Sequence, residues 1–165
     1  MPSRQPPTAT ELLRHALATI AYRGGKALKD APAEFAAFRA SEDAGTRTPL
    51  EILAHLGDLF EWGVSLADGT HVWKPATPVS WEEQVERFFA TLERFDHRLA
   101  SPKPLDCWPE KLFQGPIADA LTHIGQIAML RRMMGRPVRG ENYFKAQISA
   151  GRVGKEQAKP RVEFE

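Results

Sequence analysis

Residues 116–130 read PIADALTHIGQIAML, and this stretch decides the fold that the sequence predicts. Its only charged residue is Asp119, and its only other strongly polar side chains are those of His123 and Gln126. A helix that is apolar on nearly all sides packs against other elements over most of its surface. The stretch therefore predicts an interior helix of an all-α domain, which ends near Met134 before a glycine and a proline.

Three amphipathic segments precede this helix, and each has a recognisable start. Thr8 or Thr10 can cap the first segment. Thr48 caps the second, with proline at the first helical position and Glu51 completing a capping box. Ser80 caps the third and is followed by two glutamates, which interact favourably with the helix dipole. The four helices are expected at about residues 8–22 or 8–29, 49–67, 80–99 and, beginning between 109 and 116, up to 134.

Four helices of bundle length with almost no strand signal indicate an all-α protein, and we expect an antiparallel four-helix bundle. The connection between the first two long helices is long enough for a crossover, so the order of the helices stays open at this point. One domain should cover residues 1–165, with the bundle at about 8–137 and a short C-terminal extension at 138–165.

The composition excludes several functional classes. Lysine and arginine total 22 and aspartate and glutamate total 21, so the net charge of +1 argues against a dedicated nucleic-acid-binding protein. The C-terminal part is more basic, because residues 102–165 hold 11 basic and 7 acidic side chains. No membrane span or signal peptide is recognisable. Cys107 is the only cysteine, which excludes an internal disulfide and fits a cytoplasmic protein.

Three residues form a candidate metal site. Asp119 and His123 lie four residues apart, so both side chains project from one face of the predicted helix. His55 lies on the apolar stripe of the second helix and should point to the same interior. Two imidazoles and one carboxylate suit Zn²⁺, Ni²⁺, Fe²⁺ or Mn²⁺ and leave positions open to water or substrate. A hydrogen-bonded Asp–His pair beside a separate core histidine is the structural alternative.

The chain carries two distinctive segments, TPLEILAHLGDLFEWG at 48–63 and GPIADALTHIGQIAMLRRMMGRPVRGENYFKAQISAGRVG at 115–154. Both resemble the DinB/YfiT-like superfamily of metal-binding four-helix bundles, which includes mycothiol- and bacillithiol-dependent enzymes. The resemblance implies that His55 matches the family's first metal ligand, and that Asp119 and His123 match a pair of ligands in the later helix. The first residue of that pair is commonly His or Glu in the family, whereas aspartate has a shorter side chain.

The resemblance also implies a metal-dependent enzyme with a small-molecule substrate. The metal, Zn²⁺ or Ni²⁺ ahead of Fe²⁺ or Mn²⁺, would activate a low-molecular-weight thiol or a water. The expected reaction is thiol S-transfer or thiol-assisted isomerisation on a small electrophile, and an activated water would give hydrolysis instead. The alternative function is a non-catalytic bundle that binds a metal or ligand in a stress response and acts as a dimer.

Other residues are weaker candidates for the site. Asp58 could orient His55 from behind, whereas Glu51 suits a capping role better than a ligand role. The tryptophans Trp62, Trp73, Trp81 and Trp108 could form a wall above the metal, and core packing is the alternative for each. The arginines Arg131, Arg132, Arg136 and Arg139 could bind an anionic substrate, and a favourable interaction with the helix dipole is the alternative. Catalysis by the cysteine is not expected, because no activating base is evident. The cysteine is Cys107, and the remaining histidines, His15, His71 and His97, are interpreted as structural or surface residues rather than ligands.

A homodimer is the expected assembly. The helices carry more apolar surface than four of them can cover mutually. Phe35, Phe38 and the pair Tyr143 and Phe144 are expected to lie outside the main bundle. These residues would supply part of a subunit interface.

Overall fold

The computed structural model describes residues 6–42 and 45–164. Four long helices pack together in it, which confirms the all-α four-helix prediction. A short helix and a π-helical segment, Phe113–Ile117, lead directly into the last long helix. The helices are α1 (Ala9–Leu28), α2 (Pro49–Ala67), α3 (Trp81–Ala100), the short α4 (Pro109–Leu112) and α5 (Ala118–Met133).

The smaller elements lie in the connections and at the C-terminal end. One 3₁₀ helix, Ala33–Ala37, follows α1, and a second, Tyr143–Lys145, follows α5. Two short strands, β1 (Gly140–Glu141) and β2 (Glu163–Phe164), pair antiparallel and close the C-terminal segment on itself. Within residues 6–42 and 45–164, none of the helices combines the length and the apolar character that a bilayer crossing requires.

The long helices begin where the capping residues predict. The Thr8 hydroxyl accepts a hydrogen bond from the N–H of Glu11, whose carboxylate accepts one from the N–H of Thr8. Thr48 and Glu51 form the same capping box at the start of α2. The Thr48 N–H lowers the pKa of the Glu51 carboxyl, because it stabilises the charged form. Glu51 therefore caps a helix, as the sequence suggests, and Ser80 caps α3 through its hydroxyl.

The order of the helices around the bundle differs from their order along the chain. Helix α1 packs against α3 and α5, and α2 packs against the same two helices. The order around the bundle is therefore α1, α3, α2, α5, with α1 and α2 on opposite corners. The connection between α1 and α2 crosses from corner to corner, in keeping with the crossover that its length allows.

Two pairs of neighbouring helices run parallel, in contrast to the antiparallel bundle expected from the sequence. Arg87 and Arg98 of α3 pair in the same order with Asp58 and Asp68 of α2, so these helices run in the same direction. The 19 residues of α2 span about 28 Å, and the extended, proline-rich connection that follows it can reach about 40 Å. This connection, residues 69–80, therefore returns the chain along the bundle before α3 begins.

The directions of the other helices relative to one another follow from the contacts that α1 makes. Arg14 near the start of α1 pairs with Asp96 near the end of α3, so these two helices are antiparallel. Arg131 near the end of α5 binds the carbonyl of Ala27 near the end of α1, so α1 and α5 run parallel. Helices α2 and α5 are consequently antiparallel neighbours.

The aromatic residues after α1 are packed rather than free. Phe35 is fully buried and contacts Trp81 edge-on, with ring centroids 5.5 Å apart. Phe38 is partly buried against the core. The expectation that both lie outside the bundle is wrong, because the 3₁₀ helix Ala33–Ala37 turns the chain back onto α2. Phe144 is 96% exposed, as expected for a residue outside the bundle.

Gly24 and Gly25 of α1 provide a matched test of this packing. A Cβ on Gly24 would lie 2.6 Å from Cζ of the buried Phe88, whereas a Cβ on Gly25 would lie 3.5 Å from Cζ of Phe89. We expect Gly24→Ala to lower the free energy of unfolding by about 1–3 kcal/mol, because the ring must move. Gly25→Ala should raise it by up to about 1 kcal/mol, because alanine favours the helix. Urea unfolding measures the free energy of unfolding of both variants. If neither variant is less stable than the parent, the close contact of α1 with α3 is contradicted.

Candidate metal centre

The antiparallel pair α2 and α5 brings His55 opposite Asp119 and His123, which are the three residues that the sequence singles out. The Asp119 Oδ2 atom lies 3.7 Å from Nε2 of His55, and Oδ1 lies 3.5 Å from Nε2 of His123. One ligand atom from each residue lies within 4.8 Å of the other two. The three residues, called the triad below, form a group that could hold a metal ion.

The donor set of the triad fits a divalent metal. Ligand atoms at about 2.0–2.2 Å from a tetrahedral or octahedral ion lie about 2.8–3.6 Å from one another. The carboxylate–imidazole separations of 3.5 and 3.7 Å lie just inside and just above that range. A direct hydrogen bond would need about 2.7–3.2 Å. The spacing therefore excludes a direct Asp–His hydrogen bond, and the three ligand atoms, which lie up to 4.8 Å apart, would move closer together to share one ion.

Asp119 is less buried than an interior helix predicts. Its side chain is 47% exposed, so the ionised carboxylate needs no buried partner to be tolerated. The support for a metal comes instead from the convergence of the three ligand atoms. The expectation that α5 is covered on nearly all sides is wrong for one face, which consists of Thr122, Gly125, Gln126, Met129 and Met133.

Gln126 holds His123 in a defined orientation. Its side-chain oxygen lies 2.7 Å from Nδ1 of His123, one turn earlier on α5. Because the amide oxygen accepts, Nδ1 is assigned the proton and Nε2 keeps the lone pair that faces Asp119. The sequence identifies Gln126 only as a polar residue, and its spacing of three from His123 is the signal that places both side chains on one helix face.

Aromatic neighbours surround His55, which is half-buried. Trp73 contacts its ring edge-on, with centroids 5.6 Å apart, and Trp62 packs edge-on against Trp73. Burial lowers the pKa of His55, and the nearby His123 and Arg47 lower it further. The imidazole is therefore neutral at neutral pH, which is the form that binds metals.

A cavity of about 450 Å³ opens beside Asp119. A kink before Pro116 forms one side of it, because Gly115 departs from helical geometry, with φ −86° and ψ −105°. Trp62 supplies an apolar wall, and Gln114 and Thr122 supply polar groups. Asp119 is the member of the triad that lines this cavity, which has room for a small molecule.

The other acidic and imidazole candidates lie elsewhere. Asp58 does not orient His55, because its carboxylate accepts hydrogen bonds from Arg87 at 2.7 Å and from the N–H of Ala76 at 3.1 Å. Asp58 therefore fastens residues 69–80 to α2 and α3. The histidines outside the triad are exposed and do not join it: His15, His71 and His97.

The four arginines near the end of α5 do not form one anion site. Arg131 is buried and donates hydrogen bonds to carbonyls at the end of α1. Arg139 pairs with Glu163 in β2. Arg132 and Arg136 are exposed. The basic cluster in the sequence is thus divided among separate structural roles.

Two of the four predicted tryptophans, Trp62 and Trp73, lie near the triad. Trp81 packs against the core, and Trp108 is 73% exposed. The Cys107 thiol is partly buried, and burial raises its pKa, so it is a poor nucleophile at neutral pH. Trp73 belongs to the long connection, and no local pattern in the sequence could place its ring beside His55.

No family model matches the chain, and no curated protein or solved structure matches it either. The resemblance of residues 48–63 and 115–154 to the DinB/YfiT-like superfamily is therefore not confirmed by these comparisons. The fold is established as a four-helix bundle, and its α2–α5 pair carries a His/Asp/His group that could hold a metal ion.

Proposed function

We propose that the protein is a divalent-metal-dependent enzyme of the DinB/YfiT-like type, which uses a low-molecular-weight thiol for S-transfer to, or isomerisation of, a small electrophile. The observation that carries the proposal is the convergence of His55, Asp119 and His123, of which Asp119 also lines the 450 Å³ cavity. Three protein ligands would leave coordination positions open to an exogenous molecule.

The residues of the triad and of the cavity would have different roles in such a site. The two imidazole Nε2 atoms and the Asp119 carboxylate would hold the ion. A bound divalent cation lowers the pKa of a coordinated thiol or water and so provides a nucleophile at neutral pH. Trp62 presents an apolar surface to an electrophilic substrate, and Gln114 and Thr122 offer hydrogen bonds that orient it. Arg47 adds a positive charge near His55, which favours an anionic thiol.

The donor set also narrows the choice of metal ion. Two imidazoles and one carboxylate suit Zn²⁺ and Ni²⁺, and the same set serves Fe²⁺ and Mn²⁺. A thiol as the exogenous ligand favours Zn²⁺, because sulfur is a common zinc ligand. The short side chain of Asp119 is compensated by the position of α5, which brings the carboxylate within 3.7 Å of both imidazoles.

A non-catalytic metal- or ligand-binding bundle remains the second candidate. One observation favours it: Asp119 is the only titratable residue in the lining of the cavity among the described residues. A reaction that needed a general base besides the metal-bound nucleophile would have no second group in that lining to supply it. The thiol reactions proposed above place no such demand on the protein.

Elemental analysis and thiol-transfer assays distinguish the two candidates. The proposal expects the protein purified without added metal to contain near-stoichiometric Zn²⁺ or Ni²⁺, and to consume an electrophilic acceptor only when both the metal and a thiol are present. Metal without consumption of the acceptor by any of several thiols would favour the non-catalytic bundle. Absence of metal, with no uptake from added Zn²⁺ or Ni²⁺, would remove the metal-dependent enzyme and leave only a bundle that binds a ligand without metal.

Gln126 gives a sharper test of the metal site. Gln126→Ala should lower the affinity for Zn²⁺ by about 10- to 100-fold, because His123 loses the hydrogen bond that fixes its tautomer and orientation. Gln126→Glu keeps an acceptor and should restore most of the affinity. Competition with a chromophoric chelator measures both variants. An unchanged affinity of Gln126→Ala would show that the His123 ring does not serve as a positioned ligand.

The proposal includes a homodimer. Phe144 is 96% exposed, and Met129 and Met133 on the open face of α5 are 53% and 55% exposed. Apolar side chains of this size are commonly covered in an assembly. Sedimentation equilibrium at micromolar concentration should give twice the mass of one chain, and a strict monomer would contradict this expectation.

A further inference from the structure

A second cavity lies between the C-terminal half of α1 and residues 155–163, and it shares no lining residue with the cavity beside the triad. Its volume is about 610 Å³, within the range of about 300–1,000 Å³ that is typical of small-molecule sites. Nothing in the proposed thiol chemistry uses it. The charged residues that line it are Lys26, Lys29, Lys155, Lys159, Glu156 and Glu163.

The lining carries an excess of positive charge, with four lysines against two glutamates. Lys26 is paired with Glu163 and with the buried Glu141 below it, and Lys155 is paired with Glu86 outside the cavity. Lys29 and Lys159 form no ion pair within the part of the chain that the structure describes. Two ammonium groups are therefore available to a ligand, beside the Glu156 carboxylate, which also forms no ion pair among the described residues.

The floor of the cavity is a fixed polar network. The Tyr22 hydroxyl donates a hydrogen bond of 2.7 Å to Oε1 of Glu141, and the Lys26 ammonium donates one of 2.8 Å to Oε2. Burial raises the pKa of Tyr22, and the adjacent carboxylate raises it further, so the hydroxyl stays protonated. Both oxygens of Glu141 are thus engaged, one by Tyr22 and the other by Lys26.

Gly25 keeps the cavity open on the side of α1. A glycine inside a helix is destabilising, so a packing reason is normally expected for it. The neighbouring Gly24 has such a reason, because its Cβ would collide with Phe88. A Cβ on Gly25 would make only ordinary contacts, with Phe89 at 3.5 Å and Gln157 at 3.8 Å. Packing does not require glycine at this position, and a larger side chain would lie against Gln157, which also lines the cavity.

We propose that this cavity is a second ligand site, which binds a small organic anion with at least two negative charges, carried by phosphate or carboxylate groups. Lys29 and Lys159 would bind the charged groups, with Lys26 held beside them by its two carboxylate partners. The uncharged part of the lining, formed by Tyr22, Gly25, Gln157, Ala158 and Pro160, would contact an uncharged portion of the ligand.

Isothermal titration calorimetry on the full chain tests the proposal in a buffer of low ionic strength without polyvalent anions. The probes are AMP, inorganic pyrophosphate and citrate, with adenosine as the uncharged counterpart of AMP. We expect saturable binding of at least one anion and none of adenosine. Tighter binding of pyrophosphate than of citrate would identify phosphate as the preferred group, and the reverse order would identify carboxylate.

Two variants locate the site. Lys29→Ala with Lys159→Ala should weaken binding about tenfold or more, since each lost charge-assisted contact reduces the affinity severalfold. Lys111→Ala with Lys145→Ala removes the same charge from exposed positions outside the lining and serves as the control. Gly25→Leu places a branched side chain in the lining and should weaken binding, and circular dichroism checks that the variant keeps the helical fold.

Three results would overturn the proposal. The first is the absence of saturable binding of any of the three anions at millimolar concentration. The second is an equal loss of affinity in the two double-lysine variants, which would indicate diffuse attraction to the surface. The third is an unchanged affinity of Gly25→Leu, which would place the ligand elsewhere. The lysine and Gly25 variants separate this site from the triad, because citrate and pyrophosphate would also coordinate a divalent metal held there.

Discussion

Replacing any one of His55, Asp119 and His123 with alanine is expected to abolish stable metal binding. Each residue contributes one ligand atom to a group only 4.8 Å across, and no other histidine, cysteine or acidic side chain of the described residues joins that group. The loss of affinity should exceed about 100-fold, which is the upper limit for removing a group that only supports a ligand. Elemental analysis after dialysis measures the occupancy directly.

Two further results make this expectation specific. Asp119→Asn should also weaken binding, because a neutral amide offers no anionic oxygen. His15→Ala and His97→Ala alter exposed histidines outside the triad and should leave the occupancy unchanged. The parent should gain about 2.7 kcal/mol of stability at a metal concentration 100 times the Kd, and the triad variants should lose that gain. A higher melting temperature of Asp119→Asn with and without metal would instead identify the carboxylate as a purely unfavourable charge.

Arg131→Met is expected to lower the free energy of unfolding by about 2–4 kcal/mol, which is the largest loss of stability that we predict for a single substitution outside the apolar core. The buried guanidinium donates to the carbonyls of Ala27 at 3.0 Å and Lys29 at 2.6 Å, where α1 ends. It also donates to Asp30 and to Arg136. Methionine fills a similar volume but leaves these acceptors without a protein partner.

Arg132→Met is the matched control, because its side chain is the exposed neighbour on the same turn. Its effect should stay within about 0.5 kcal/mol. Arg131→Lys keeps the charge but loses the planar arrangement of donors, so an intermediate loss is expected. Guanidinium chloride unfolding measures all three variants. Equal stability of Arg131→Met and Arg132→Met would show that the carbonyls at the end of α1 do not need this partner.

Local signals in the sequence predict the individual helices well. The capping box of Thr48 and Glu51 places α2 at the residues observed, because the hydrogen bonds of a cap involve only neighbouring residues. The spacing of Asp119 and His123 likewise places both side chains on one helix face. His55 lies on the apolar stripe of α2, and because that stripe identifies the inner face of the helix, the side chain is predicted to point to the same interior. These parts of the site depend on contacts within single helices.

The arrangement of the helices depends on contacts between distant residues, and the sequence predicts it less well. The parallel course of α2 and α3 is held by ion pairs such as that of Arg87 with Asp58, which no local pattern indicates. The exposure of Asp119 follows from which neighbours α5 acquires, rather than from its composition. Phe35 is buried because a 3₁₀ helix reverses the chain, and its apolar character alone does not distinguish a core residue from an interface residue.

The placement of α5 between α1 and α2 has a consequence for the order of folding. Helices α2 and α3 are consecutive, so they can associate as soon as the connection between them has formed. The contact of Ala27 with Arg131 spans 104 residues, and contacts of such long range form slowly because a large loop must close first. The side of α1 that packs against α5 therefore stays exposed to solvent until α5 has formed. The triad is completed in the same late step, so metal uptake during refolding should follow the far-ultraviolet circular dichroism signal with a delay and should mark the arrival of the native topology.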